Sequence, residues 1–221
     1  MSIWFREEEP ARKPRLTRER IVAAAVGLLD AEGLAGFSMR ALAARVGAGT
    51  MSLYEYVRTR EDVLDLALDE VFGEIDLPGP ESLPWRELLA RQLARSRAVM
   101  RRHPWVPGLT ATRPLAGPNA LARAELFHAE LARAGLSGPA LSAAVGALSF
   151  YVSGFTAAEN TWWALVRTPE ADADIRAGLQ RHLERTAHTT LATSADVENQ
   201  DFDGQFALGL DVILDGIEAR L

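Results

Sequence analysis

An all-helical protein is what these 221 residues predict, and three observations carry that reading. Apolar residues recur at three- and four-residue steps in segment after segment, which is the period of one helix face. No alternating run of the kind a half-buried strand needs survives anywhere. Turn-forming residues such as Gly33, Gly47, Pro104, Pro118 and Gly135 separate the periodic segments. There is no internal repeat.

Composition narrows the class. Hydrophobic residues make up 48% of the chain, ample for a packed core, and aromatic residues only 7%. With no cysteine, a disulfide framework and a thiolate metal site are both out of reach, which fits a reducing cytoplasm. The start, Met-Ser-Ile-Trp-Phe-Arg, lacks the basic residues and apolar run of a signal peptide. The net charge of −6 divides unevenly. Up to Glu61 ten Lys and Arg face eight Asp and Glu; beyond it fourteen face twenty-two. A mildly basic head on an acidic body suits a chain in which one module meets phosphate. An acidic solvated surface is the plainer reading of the body.

Residues 1–15 are charged, contain proline and carry no period, so they read as a flexible arm. Arg12, Lys13 and Arg15 lie just before the first helix, where such an arm either follows DNA phosphates or stays a solvated tail. Thr17 is a good N-cap, with Arg20 where a capping box would want Glu. Ile21, Ala25, Leu28 and Leu29 then form the inner face of a helix that stops at Gly33, a C-cap signal.

Met39, Leu42, Ala43 and Val46 fall at i, i+3, i+4 and i+7, one apolar face of a short helix that Ser38 caps. Gly47 and Gly49 leave room for a tight turn only. A second short helix then buries Leu53 and Val57 and exposes Thr50, Ser52, Tyr54 and Tyr56. Two short helices joined by a glycine turn make a helix-turn-helix, whose second helix enters the DNA major groove. Any small helical hairpin has similar spacing, so the spacing alone leaves that choice open.

A longer helix follows from about Thr59, with Leu64, Ala67, Leu68, Val71 and Ile75 on one side, ending at Leu77-Pro78-Gly79-Pro80. The domain boundary falls within it, which makes the connection stiff. The expected division is an arm over 1–15, a helix-turn-helix domain over 16–62 and a helical body over 63–221. Asp65 and Asp69, one turn apart and opposite the apolar stripe, read as a solvated face. In the body, Trp85, Leu88, Leu89 and Leu93 lead a helix that ends before Pro104. Trp105 to Pro118 is rich in proline and irregular or broken into short turns. Pro118 suits the first turn of a helix over Asn119 to Ala134, closed by Gly135.

Ala140 to Ala158 holds 19 consecutive uncharged residues, long enough for a membrane span. Glu159 and Asn160 follow at once without a basic cluster, so the expectation is a helix buried on nearly all sides of a soluble protein, with no membrane partner. Asp172 to His188 carries Ile175, Leu179 and Leu183 at i+4 steps, Thr189 to Asp201 reads as a loop, and Phe206 to Leu221 closes the chain as a helix.

Motifs for catalysis are missing: there is no P-loop, no Gly-x-Ser-x-Gly elbow, no His-Glu-x-x-His and no Gly-x-Gly-x-x-Gly. His103, His128, His182 and His188 stand apart and read as surface or satisfied structural histidines. No metal and no cofactor is expected. A helical small-molecule-binding protein or enzyme is the alternative from another class.

The run Gly33-Leu34, Phe37-Ser38-Met39-Arg40, Leu42-Ala43, Val46-Gly47, Ser52-Leu53-Tyr54 and Val57 closely resembles the DNA-binding domain of the tetracycline-repressor family. The match runs without a gap from about Thr17 to Ile75. A weaker resemblance to the regulatory domain of the repressor that names the family continues through Trp85, Thr112-Arg113-Pro114 and Phe206-Ala-Leu-Gly-Leu. The resemblance implies a homodimeric regulator, most simply a repressor released from a palindromic double-stranded operator by a small hydrophobic effector. A regulator that activates, or that has no effector, is the alternative within the class.

The residues can be assigned on that basis. Arg40, Thr50, Met51, Ser52, Tyr54, Tyr56 and Arg60 match the family's DNA-contacting positions. Arg40 and Arg60 would use donor forks, Met51 a thymine methyl, and the tyrosines their hydroxyls on phosphate. The family's pocket positions correspond to Asp76, Gln92, Ser96, Leu109, Arg113 and Phe150, and Tyr151, Trp162 and Trp163 would add flat walls. Arg113 is the best polar contact, though a helix-end cap or a surface ion pair explains it as readily. Leu109, Asp76 and Phe150 stand where tetracycline-binding members would carry histidines, which argues against a metal-borne drug. The helix over Ala140 to Ala164 and the closing helix, Phe206 to Leu221, would form a four-helix dimer interface through Ala143, Ala147, Gly154, Phe206, Leu210, Ile213 and Ile217.

Overall fold

The structure, a computed structural model, describes residues 16–78, 83–186, 188 and 201–221. The expected arm over 1–15 and the expected loop after Thr189 lie outside these residues, apart from Asp201. The described residues form ten helices and no strand. Two compact units part between Ala67 and Leu68.

The first unit contains α1 (Arg18–Gly36), α2 (Met39–Val46), α3 (Thr50–Leu53) and the start of α4 (Arg60–Gly73). Thr17 Oγ1 accepts the Arg20 amide proton at 3.3 Å, and Ile21, Ala25, Leu28 and Leu29 are buried as the period requires. The helix does not finish at Gly33. It is interrupted there, at φ 65° and ψ −176°, and its hydrogen bonding resumes to Gly36. That conformation belongs essentially to glycine. Phe37, buried after the break, and Met39, Leu42 and Leu53 complete the core.

The α2–α3 turn shows why its glycine is needed. Gly47 sits at φ 69°; its amide donates to Ala44 at 3.2 Å, and the Ala48 amide donates to Ala43 at 3.0 Å. This paired closure is a Schellman motif, which needs a left-handed residue. α4 starts one residue later than expected and ends at Gly73. Thr59 Oγ1 accepts from the Asp62 amide at 3.0 Å while Asp62 Oδ2 accepts from the Arg58 and Thr59 amides at 2.8 and 3.1 Å. These are the reciprocal bonds of a capping box, with Asp in place of Glu.

The second unit holds the end of α4 with α5 (Trp85–Arg102), α6 (Val106–Thr110), α7 (Pro118–Ala134), α8 (Gly138–Leu165), α9 (Pro169–Arg185) and α10 (Phe202–Glu218). α8 is the centre: it packs on α5, α6, α7 and α10. Ala144, Leu148, Val152, Thr156 and Glu159 are its buried positions. The expectation that this helix is buried on nearly all sides is not met within one chain. Ala143, Ala147, Phe150, Gly154, Ala158 and Leu165 form an exposed small and apolar stripe, with Phe150 79% exposed. The composition was right and the burial wrong, because hydropathy cannot say whether a face is covered by its own chain.

Glu159 is fully buried yet matched. Arg97 donates to its two oxygens through Nε and Nη2, each at 2.8 Å, and Arg101 Nε lies 3.3 Å away. Arg97 Nη1 also meets Asp203 at 2.8 Å, and the guanidinium lies over Phe155 and Phe206. Burial opposes the Arg97 charge, but the hydrogen bonds and charges of Glu159 and Asp203 hold its pKa above the ordinary value.

Asp69 is not merely a solvated residue. Its carboxylate accepts from the amides of Ala120 (2.9 Å) and Asn119 (3.4 Å), so a residue of α4 caps the start of α7. A Cβ on Gly117 would sit 2.2 Å from the Asp69 Cγ, which explains a glycine at that N-cap.

Candidate nucleic-acid interface and effector cavity

The helix-turn-helix presents its polar side chains outward around a small apolar core. Arg40, second residue of α2, is exposed and makes no hydrogen bond or ion pair among the described residues. On α3, Met51 is 79% exposed, and Thr50 and Ser52 are half-buried. Tyr54 is exposed just beyond that helix. Arg60 opens α4 with its guanidinium 5.4 Å above the Phe37 ring and 3.6 Å from Glu61. Leu53 and Val57 are buried beneath. Tyr56 departs from expectation. It is half-buried, and its hydroxyl donates to the Leu16 carbonyl at 2.8 Å, so its proton is committed within the fold.

In the second unit α5, α6, α7 and α8 with the end of α4 line a cavity of about 490 Å³ that opens to solvent beside Phe150, within the range of small-molecule sites. Its walls are mostly apolar and include Phe72, Leu93, Met100, Phe127, Val145 and Phe150. Thr110 and Ser153 bond across the α6–α8 wall at 3.0 Å.

One charged side chain lines it among the described residues, Arg123 of α7. It is 8% exposed. Nη1 donates to Gln92 Oε1 and Nη2 to the Gln92 carbonyl, both at 3.1 Å, and Nη2 also donates to Ser96 Oγ. Its guanidinium lies 5.3 Å from the Phe127 ring centre. Gln92, fully buried, gives its other end to the Asp76 carbonyl at 3.1 Å. Every one of these partners is neutral. Burial therefore lowers the Arg123 pKa to about 10.

Comparison with known proteins settles the class. Residues 21–67 match the family described as bacterial regulatory proteins, tetR family, and residues 77–221 match the tetracyclin repressor-like C-terminal domain. An HTH-type transcriptional regulator of Saccharopolyspora erythraea is 42% identical over 221 residues, covering 99% of this chain and 92% of the relative. The chain belongs to the TetR family. A second relative, the HTH-type transcriptional repressor DrrR1 of Streptomyces coeruleorubidus, is 38% identical, covering 98% of this chain and 83% of its own length. Among solved structures, the TetR-family protein ActR of Streptomyces coelicolor in complex with actinorhodin aligns with a TM-score of 0.81 at 30% identity. It covers 93% of this chain and 98% of its own. The protein is thus a TetR-family transcriptional regulator of repressor-like kind, with an all-helical fold.

Family position was a poor guide to the walls of this TetR-type cavity. Of the pocket positions assigned from the sequence, Ser96 and Phe150 line it. Gln92 stands behind, holding Arg123. Leu109 is buried but turned to the core, and Asp76 offers its carbonyl while its side chain is exposed. Arg113, half-buried, is not part of the wall. Tyr151 is a strut: its hydroxyl donates to the Phe206 carbonyl at 2.9 Å, across the bare Cα of Gly209. Trp162 lies under Arg176 at 5.0 Å, and Trp163 tilts against Phe202.

The interface positions divide. Ala143, Ala147 and Gly154 are exposed, and Gly154 also lines the cavity. Phe206, Leu210 and Ile217 are buried within their own chain and Ile213 is half-buried, so α10 turns its heavier apolar face inward. Its outward apolar residues are Leu208 (69% exposed) and Val212 (72%). Arg123 was missed, although it falls on the inner stripe set by Ala120, Phe127 and Leu131. A charge on an apolar stripe was the available signal.

Proposed function

We propose that this regulator is a cytoplasmic homodimeric repressor that holds a palindromic operator and leaves it when a small, largely apolar molecule fills the cavity of its body. The observation that carries the reading is that cavity: apolar, of ligand size, and walled in part by Phe72 of α4, the helix that opens with Arg60 beside the DNA-binding motif. A molecule that displaces Phe72 acts on α4 directly, and ActR, another member of the family, was solved with actinorhodin bound. Weakening operator binding ~100-fold requires the ligand to favour the released state by about 2.7 kcal/mol, an ordinary allosteric coupling.

On DNA, Arg40, Thr50, Met51, Ser52 and Tyr54 meet bases and backbone, and Arg60 meets phosphate at the start of α4. Tyr56 serves the fold instead, by fixing Leu16. The second copy covers the α8 stripe together with Leu208 and Val212, an area too apolar to leave in water.

Footprinting and sedimentation test this together. Two protected half-sites should lie ~10 bp apart or a multiple of it. Arg40→Ala should cost ~1–3 kcal/mol on the operator alone. Arg60→Ala should weaken all sequences and lower the salt slope by about one. Val212→Glu should give monomers that bind the operator poorly. A monomeric wild type, or no protected palindrome, would overturn the reading.

A further inference from the structure

The cavity is not chemically uniform. Its apolar walls suit a hydrocarbon skeleton, yet a guanidinium has been placed among them at 8% exposure. Holding a cation there is costly unless an opposite charge offsets it. Within the described residues no carboxylate does so: Arg123 makes no ion pair, and its acceptors are one amide oxygen, one carbonyl and one hydroxyl. Those three bonds engage three of the five N–H groups that a guanidinium carries. The side chain is also held in place before any ligand arrives. Gln92 is fixed from behind by the Asp76 carbonyl, Ser96 donates back to the Gln92 carbonyl at 2.6 Å, and Phe127 supports the guanidinium. The cation is positioned, buried and unbalanced.

We propose that the effector carries a carboxylate on an apolar skeleton, and that this carboxylate pairs with Arg123 inside the cavity. The proposal rests on the cavity being the effector site and adds the ligand's chemical class. The skeleton fills the space between Phe72, Phe127 and Phe150, while the carboxylate supplies the charge that the protein itself does not. The N–H groups left over are Nε–H and one on Nη1, which share no edge of the guanidinium, so Arg123 holds the carboxylate by its buried charge and single charged hydrogen bonds rather than by a fork. A neutral ligand of the same shape leaves the cation as it was and gains only the apolar contacts.

The test is calorimetric titration of the full chain with anthracene-2-carboxylic acid and, separately, anthracene-2-carboxamide, at neutral pH. The acid should bind at least about tenfold tighter than the amide, since a bond to a charged group contributes on the order of that factor. Arg123→Gln should bind the two alike, and Arg123→Lys should keep part of the preference. Equal binding of acid and amide to the wild-type chain, which needs no variant, would overturn the carboxylate assignment and leave the cavity as an effector site. Binding of neither compound would remove the proposal along with the cavity's role.

Discussion

Arg97 and Arg123 are buried to nearly the same degree, 7% and 8% exposed, in the same unit of the molecule. Their partners differ in charge. Arg97 faces the carboxylates of Glu159 and Asp203, and its pKa is held up; Arg123 faces neutral oxygens, and its pKa falls to about 10. Burial acts against both charges. The difference lies in who supplies the counter-charge. Around Arg97 the chain closes its own account, tying α5 to α8 and to the start of α10. Around Arg123 the balance is left open toward a cavity. A buried ion pair and a buried lone cation thus mark a strut and a receptor.

Three substitutions break or sharpen that contrast. The largest effect is expected from Glu159→Gln, which leaves Arg97 with one surface carboxylate. Unfolding by urea at fixed protein concentration should show a loss of about 3 kcal/mol, the usual cost of orphaning one side of a buried pair. Next comes Arg123→Met, measured without ligand. It forfeits the bonds to Gln92 and Ser96 but relieves an unbalanced charge, so stability should stay within about 1 kcal/mol of wild type. A loss as large as that of Glu159→Gln would make Arg123 a structural residue and erase the contrast. Asp203→Asn should matter least. Asp203 is 82% exposed, and a pair so open to water contributes less than about 1 kcal/mol.

How much of this was legible beforehand depended on the range of the interaction. The α2–α3 motif was read from Met39, Leu42, Ala43 and Gly47 because its determinants are local: a stripe, a cap and one left-handed residue. Tyr56 was misread because its hydroxyl partner, Leu16, lies 40 residues earlier. Asp69 was misread in the same way, since its partners are 50 and 51 residues later. The walls of the cavity are set by helices meeting at a distance, so family position found Ser96 and Phe150 and missed the rest. α10 was assigned the right period and the wrong side. Periodicity identifies faces, but only packing says which of two apolar faces turns inward.

The Asp69 cap has a further consequence, for where the chain can be cut. The first turn of α7 offers amide protons that no residue of α7 accepts; the acceptor is in α4, 50 residues earlier, so the bond closes a chain loop that contains α5 and α6. Closing a loop of that size carries a logarithmic entropy cost of a few kcal/mol that the rest of the body must repay by packing. A regulatory fragment beginning at Leu77, where the C-terminal family match begins, would discard both the cap and Phe72. The compact body begins earlier, at Leu68, so the last turns of α4 pack as part of it, and any chimera joining this body to a foreign DNA-binding head should be spliced before them.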